Sequence, residues 1–100
     1  MRRAAKIDKN QPQIVKALRA AGATVQPLSA VGRGVPDLLV GYNGANYLME
    51  LKDPEGARAS GRGVPSATKL TEDEAQWHKT WLGQVAVICN SDEALRLIGL

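Results

Sequence analysis

The chain has 100 residues, which is the length of one domain. Hydrophobic residues make up 44% and charged residues 23% of the chain, and these values exclude a disordered or fibrous protein. The net charge of +3 favours polyanionic partners, the single cysteine excludes an internal disulfide, and no apolar run is long enough to cross a membrane.

The first half of the chain is predicted to form a helix over residues 12–21 and strands over residues 23–29, 36–42 and 46–52. Pro12 suits the first turn of the helix, and Pro27 is typical of an edge strand because it cannot donate a backbone hydrogen bond. Asn43 and Gly44 lie between the last two strands. They are the commonest pair for a two-residue hairpin turn, since both residues tolerate a positive φ.

The second half is predicted to form a helix over residues 72–82, a buried strand over residues 85–89 and a last helix capped by Asn90 or Ser91. Thr71 and Glu74 have the spacing of a capping box at the start of the first of these helices. Residues 53–69 contain three Gly and two Pro without apolar periodicity, so we expect a mobile basic loop there.

This order of elements, α-β-β-β-α-β-α, predicts a single α/β domain over residues 1–100 with a mixed sheet flanked by helices. Residues 1–20 contain no apolar segment of the kind found in signal peptides, so we expect a cytoplasmic protein. A domain of this size has no room for separate cofactor and substrate domains. We therefore expect any substrate to be held on a surface or in a groove.

The predicted hairpin brings three charged side chains together. If the chain turns at Asn43 and Gly44, the numbers of opposed residues sum to 87, and Asp37 lies opposite Glu50. Lys52 follows Glu50 by two residues, so its side chain points to the same face of the strand. Two carboxylates and one ammonium group therefore converge on one side of the hairpin.

Two carboxylates this close repel each other unless a proton or a cation lies between them. Mg²⁺ or Mn²⁺ would satisfy this need, because both prefer oxygen ligands and keep positions open for a phosphate. Such an ion polarises a phosphoryl oxygen and lowers the pKa of a bound water. Lys52 could orient that water or neutralise charge that develops on phosphorus. The alternative is a cross-strand salt-bridge patch that stabilises the fold by about 0.2–1 kcal/mol.

The segment Gly-Arg-Gly-Val-Pro-Asp-Leu at residues 32–38, followed by Glu-Leu-Lys at residues 50–52, resembles the signature of the PD-(D/E)xK nucleases. More specifically, it resembles the small VRR-NUC (virus-type replication-repair nuclease) family. The resemblance covers nearly the whole chain and includes Leu70 and Thr71 at the start of a helix and Gln76 within it. It implies a small restriction-endonuclease-like core.

The resemblance also implies functional residues. The implied metal ligands are Asp37, Glu50 and the backbone carbonyl of Leu51. Family members often also carry an acid on the first helix, where this chain has Gln13; either the amide oxygen of Gln13 or a water would take that place. Lys52 is implied as the catalytic lysine and Gln76 as a polar residue that lines the site and acts with the two acids in catalysis.

Basic residues near this hairpin and in the expected loop are candidates for contact with nucleic acid. The residues expected to contact DNA phosphates are Arg33, Arg58, Arg62, Lys69 and Lys79. Arg33 precedes Asp37 by four residues and is expected to lie beside the scissile phosphate. The alternative interpretation of these side chains is ordinary solvated surface charge.

Together these features favour a metal-dependent endonuclease that hydrolyses DNA phosphodiester bonds. The resemblance implies branched substrates such as four-way (Holliday) junctions, cut by a homodimer during phage or cellular replication and repair, in the cytoplasm or at the host nucleoid. Two alternatives stay open. One is a non-catalytic module that binds structured DNA on the same fold, and the other is a metal-dependent hydrolase of small nucleotides.

Overall fold

The structure, a computed structural model, describes residues 9–59 and 69–100 of the chain. Its elements are α1 (Gln11–Ala20), β1 (Thr24–Pro27), β2 (Leu38–Tyr42), β3 (Ala45–Leu51), α2 (Pro54–Ala59), α3 (Glu72–Thr80), β4 (Ala86–Ile88) and α4 (Ser91–Leu97). The strands form one sheet in the order β1-β2-β3-β4. The first two pairings are antiparallel and the β3–β4 pairing is parallel, which confirms the predicted α/β fold with a mixed sheet.

The hairpin between β2 and β3 turns at Asn43 and Gly44, whose φ angles are 50° and 81°. Both angles are positive, as a type I′ turn requires. Leu38 pairs with Met49, so the predicted register is confirmed along the whole ladder. Continuing this register by one residue sets Asp37 opposite Glu50.

One face of the sheet packs against α1 and α4 and forms the hydrophobic core. The core residues with no exposed surface are Ile14, Leu18, Leu38, Val40, Met49, Leu51 and Ala94. Successive residues of a strand point to opposite faces, so Asp37 and Glu50, each beside a core residue, belong to the other face. The candidate site and the core therefore lie on opposite sides of the same two strands. Within the described ranges, none of the helices has both the length and the apolar character needed to cross a membrane.

The side chain of Asn10, at the start of α1, connects the ends of two strands. Its amide Nδ2 donates to the carbonyl of Lys52 at 2.9 Å and to the carbonyl of Cys89 at 3.0 Å. The backbone amide of Lys52 also donates to the carbonyl of Ile88 at 3.0 Å. These bonds fix the backbone of Lys52 between β4 and the first helix.

The prediction of an irregular loop over residues 53–69 is wrong for its first part, because residues 54–59 form α2. Pro54 occupies the first helical position, and the Asp53 side chain accepts a hydrogen bond from the Gly56 amide at 2.9 Å. This cap starts a helix where the glycine and proline content of the segment had predicted a loop. Residues 60–68 lie outside the described residues, so the predicted mobility of that part stays a prediction.

The prediction of a buried strand over residues 85–89 is wrong in extent and in burial. β4 covers three residues, of which Val87 is 40% exposed, because the sheet face that it shares with Glu50 is only partly covered. Before β4 begins, the side-chain amide of Gln84 makes the hydrogen bonds to β3 that the backbone of a neighbouring strand would make. It accepts from the amide of Leu48 at 2.6 Å and donates to the carbonyl of Leu48 at 3.0 Å.

Replacing Asn10 by alanine tests the connection between α1 and the strand ends. Asn10→Ala removes the donor to two part-buried carbonyls, so we expect the free energy of unfolding to fall by about 1–3 kcal/mol in urea titrations. Gln13→Ala, an exposed change on the same helix, should alter it by less than about 0.5 kcal/mol. Equal effects of the two changes would contradict a specific role for Asn10.

Candidate active site

Asp37 is held by the backbone on both sides of its strand. Its carbonyl accepts a hydrogen bond from the amide of Leu28 at 2.7 Å, and its carboxylate oxygen Oδ2 accepts one from the amide of Leu51 at 2.7 Å. Pro36, directly before it, is fully buried and limits the backbone at the strand entrance. The carboxylate of Asp37 is therefore fixed across the open end of the hairpin.

The side chain of Glu50 lies against this carboxylate and is only 1% exposed. Burial, followed by the negative charge of Asp37, raises the pKa of Glu50 from 4.5 to about 10. Burial also raises the pKa of Asp37 above its usual value. At neutral pH Glu50 thus carries a proton, which it can donate to the carboxylate of Asp37 or to that of Glu74.

Lys52 forms an ion pair with Glu74 from the first turn of α3. Its Nζ lies 2.7 Å from Glu74 Oε1, and the two side chains are 11% and 18% exposed. Burial alone would raise the pKa of Glu74, but the hydrogen bonds from Lys52 and from the Thr71 amide lower it below its ordinary value. Three carboxyl groups and one ammonium group therefore meet at this end of the sheet.

The turn that precedes Asp37 brings α3 into position over the site. Gly34 has a φ of +80°, and a Cβ built on it would overlap the backbone of Asp73. Only glycine permits both this backbone conformation and this close approach. The neighbouring Arg33, with a φ of 58°, is exposed beside the same contact.

Glu74 is the site residue that sequence analysis did not identify. The capping box that Thr71 and Glu74 were predicted to form is confirmed. That role already explained Glu74, so the pattern indicated no second one. The spacing from Thr71 was the signal that marked Glu74 in the sequence. It could not indicate the contact with Lys52, because Lys52 is 22 residues away in the chain.

Two predicted site residues, Gln76 and Gln13, have no contact with the acidic pair among those described. Gln76 is exposed on α3 and lies about 200° around the helix from Glu74, so the described contacts bring Glu74 and not Gln76 to Lys52. Gln13 is also exposed, and it lines a different cavity of about 580 Å³ beside Asp53 and Cys89. The described contacts do not join either glutamine to the pair.

The predicted DNA-contacting residues are distributed over several segments. Arg33, Lys69 and Lys79 are exposed, as a phosphate contact requires. Arg58 belongs to α2, but its side chain lies outside the described part of the structure, as does the whole of Arg62. Their contact with DNA stays a prediction.

The acidic pair fits a divalent cation in its chemistry. The oxygen Oε1 of Glu50 is buried and has no hydrogen-bond partner among the described residues. A cation beside it would supply the missing partner and relieve the repulsion from Asp37. No group of three or more His, Cys, Asp or Glu in residues 9–59 and 69–100 is arranged to hold a metal ion. A site with two carboxylates suits Mg²⁺, which usually keeps several waters and binds substrate phosphates.

Comparison of the chain with protein-family models, with curated proteins and with solved structures found no match.

The protonated state of Glu50 predicts a pH dependence of stability. Folding takes up a proton between pH 4.5, the ordinary pKa of Glu50, and about 10, its pKa in the fold. In EDTA, the free energy of unfolding should therefore fall as the pH rises through this range, because the folded state has to release or keep a proton that the unfolded state has already lost.

Glu50→Gln removes this titration and keeps the shape of the side chain. At pH 8 we expect it to raise the melting temperature by at least about 4 °C relative to wild type, with little difference at pH 4.5. Glu55→Gln, an exposed change, should follow wild type at both pH values. A constant difference between wild type and Glu50→Gln across the pH range would contradict the raised pKa.

Proposed function

We propose that the protein is a divalent-metal-dependent endonuclease that hydrolyses DNA phosphodiester bonds. The observation that carries this proposal is the contact of the Asp37 and Glu50 carboxyl groups at the open end of one hairpin, with Lys52 two residues further along β3. This arrangement agrees with the signature of the VRR-NUC family, which the sequence resembles. A salt-bridge patch alone would not need a carboxyl group whose pKa is raised by burial and by a neighbouring carboxylate, as that of Glu50 is.

The proposed roles follow from the contacts of each side chain. Asp37 and Glu50 would hold Mg²⁺ or Mn²⁺, an ion that polarises a phosphoryl oxygen and lowers the pKa of the attacking water. The amide of Leu51 already contacts Asp37, and in a strand the carbonyl of a residue points to the same neighbouring strand as its amide. The Leu51 carbonyl is therefore a proposed third ligand. Lys52 would neutralise negative charge as it develops on the phosphoryl group.

The proposed substrate is DNA, and in particular branched DNA such as a four-way junction. Arg33 is exposed four residues before Asp37, so it would contact a phosphate next to the one that is cut. Contacts of this kind give affinity without reading the base sequence. A substrate recognised by its shape is consistent with such contacts.

A homodimer is proposed from an exposed apolar surface and from the symmetry of the proposed substrate. Trp81, Leu82 and Val87, between the end of α3 and β4, are 44%, 100% and 40% exposed. Exposed apolar side chains this close in the chain favour contact with another protein surface. Two symmetric sites would match a DNA substrate with two-fold symmetry.

The nuclease proposal is tested with labelled four-way junction, flap and linear duplex DNA in Mg²⁺ or Mn²⁺. We expect wild type to cut the junction, and Lys52→Ala and Asp37→Asn to lose cutting by about 10²-fold or more. Lys52→Ala should still bind the junction in a mobility-shift assay. The matched control is Lys16→Ala, which removes an exposed lysine from α1 and should cut as wild type does.

Three outcomes would contradict this proposal. Equal cutting by all variants would identify a contaminating nuclease. Junction binding that is equal in EDTA and in Mg²⁺, without cutting, would identify a non-catalytic DNA-binding module. Faster turnover of short nucleotides than of junctions would identify a small-nucleotide hydrolase.

Self-association is tested separately by light scattering after size-exclusion chromatography. Leu82→Asp places a charge on the fully exposed apolar residue, so we expect the dimer to dissociate at concentrations where wild type remains dimeric. Leu100→Asp changes another exposed leucine, 55% exposed at the end of the chain, and should leave the dimer intact. A monomeric wild type would contradict the proposed dimer.

A further inference from the structure

We infer that Glu74 is a positioning residue, which uses the capping box of α3 to hold the Lys52 ammonium group in place for phosphodiester cleavage. This inference rests on the proposed function and deepens it, because it assigns a role to a residue that the family resemblance does not imply.

A single carboxylate oxygen makes the connection. Glu74 Oε1 accepts from Lys52 Nζ at 2.7 Å and from the backbone amide of Thr71 at 2.8 Å. In return, the Thr71 hydroxyl accepts from the Glu74 amide at 3.2 Å, which completes the capping box. The Lys52 ammonium is thus bonded to a group that is itself fixed by two bonds within one helical turn.

The first turn of α3 is in turn fixed against the rest of the site. Gly34, three residues before Asp37, contacts the backbone of Asp73 and Glu74 so closely that no other residue fits there. The strand entrance that carries Asp37 and the helix that carries Glu74 are therefore held at one distance from each other. Through Glu74, this distance also determines where the Lys52 ammonium lies relative to the Asp37 carboxylate.

A lysine needs such a support more than most side chains. Its flexible four-carbon stem loses rotamer freedom when it is fixed. An ammonium group that is already held near the reacting phosphate avoids this loss during the reaction. Both partners are less than one-fifth exposed, at 11% and 18%, so water screens their attraction less than at an open surface.

The geometry favours positioning over direct metal binding for Glu74. Its Oε1 already accepts two hydrogen bonds, and its carboxyl group also contacts Glu50. These contacts use three of the roughly four lone-pair positions of the carboxylate, so little of it is left for a metal ion. Metal affinity and cutting rate therefore separate the two roles.

The test compares wild type with Glu74→Gln, Glu74→Ala and the control Glu72→Gln. Glutamine is accepted in a capping box, so Glu74→Gln keeps the helix start and removes only the charge that attracts Lys52. Glu72 belongs to the same first turn but is exposed, so Glu72→Gln should cut as wild type does. We expect kcat on junction DNA to fall about 10-fold in Glu74→Gln and about 100-fold in Glu74→Ala, with KM unchanged within about two-fold.

Two readouts do not depend on cutting. Calorimetric titration with Mn²⁺ should give the same affinity for wild type and Glu74→Gln. The NMR signal of the Lys52 ammonium protons should be protected from exchange with water in wild type and Glu72→Gln, and lost in Glu74→Gln.

Two results would overturn the inference. A ten-fold weaker Mn²⁺ affinity in Glu74→Gln would make Glu74 a metal ligand, and wild-type kcat in that variant would remove its role altogether. Wild type that cuts no DNA would instead contradict the proposed function, and the ammonium signal of Lys52 would then still show whether Glu74 holds it.

Discussion

The contact between the buried carboxyl group of Glu50 and the partly buried one of Asp37 is the constraint on which the candidate site depends. Asp37 lies directly before β2 and Glu50 lies on β3, and the negative charge of Asp37 helps to raise the pKa of Glu50. The fold accepts this unfavourable contact because the strands that carry the acids are fixed from behind by the core residues Leu38, Met49 and Leu51. A proton on Glu50 reduces the repulsion, and a divalent cation would remove it more completely. Stability and proposed activity therefore depend on the same two carboxyl groups.

The position of this pair is determined at the far end of the hairpin. A two-residue turn at Asn43 and Gly44 gives one register, and adding or removing one residue would move one of the two acids to the core face. Lys52 is then held from two directions, by the backbone contacts of its strand end and by Glu74 from α3. The proposed chemistry thus requires local turn geometry and long-range packing together.

Sequence patterns predicted what depends on neighbouring residues and missed what depends on distant ones. Asn43 and Gly44 predicted the hairpin register because a type I′ turn leaves few alternatives. Glu74 was recognised as a capping residue, but its contact with Lys52 arises only when the crossover between β3 and β4 brings α3 over the site. The apolar run of β4 predicted a strand correctly, yet periodicity cannot show whether the face of Val87 is covered.

Gln84 has a consequence for how this small sheet meets other molecules. Its side-chain amide occupies both backbone hydrogen-bonding groups of Leu48, at the point where β4 has not yet begun. A foreign extended peptide that sought to lengthen the sheet there would first have to displace that amide. A side chain that occupies these groups therefore protects this part of the strand edge from pairing with another chain, as in amyloid.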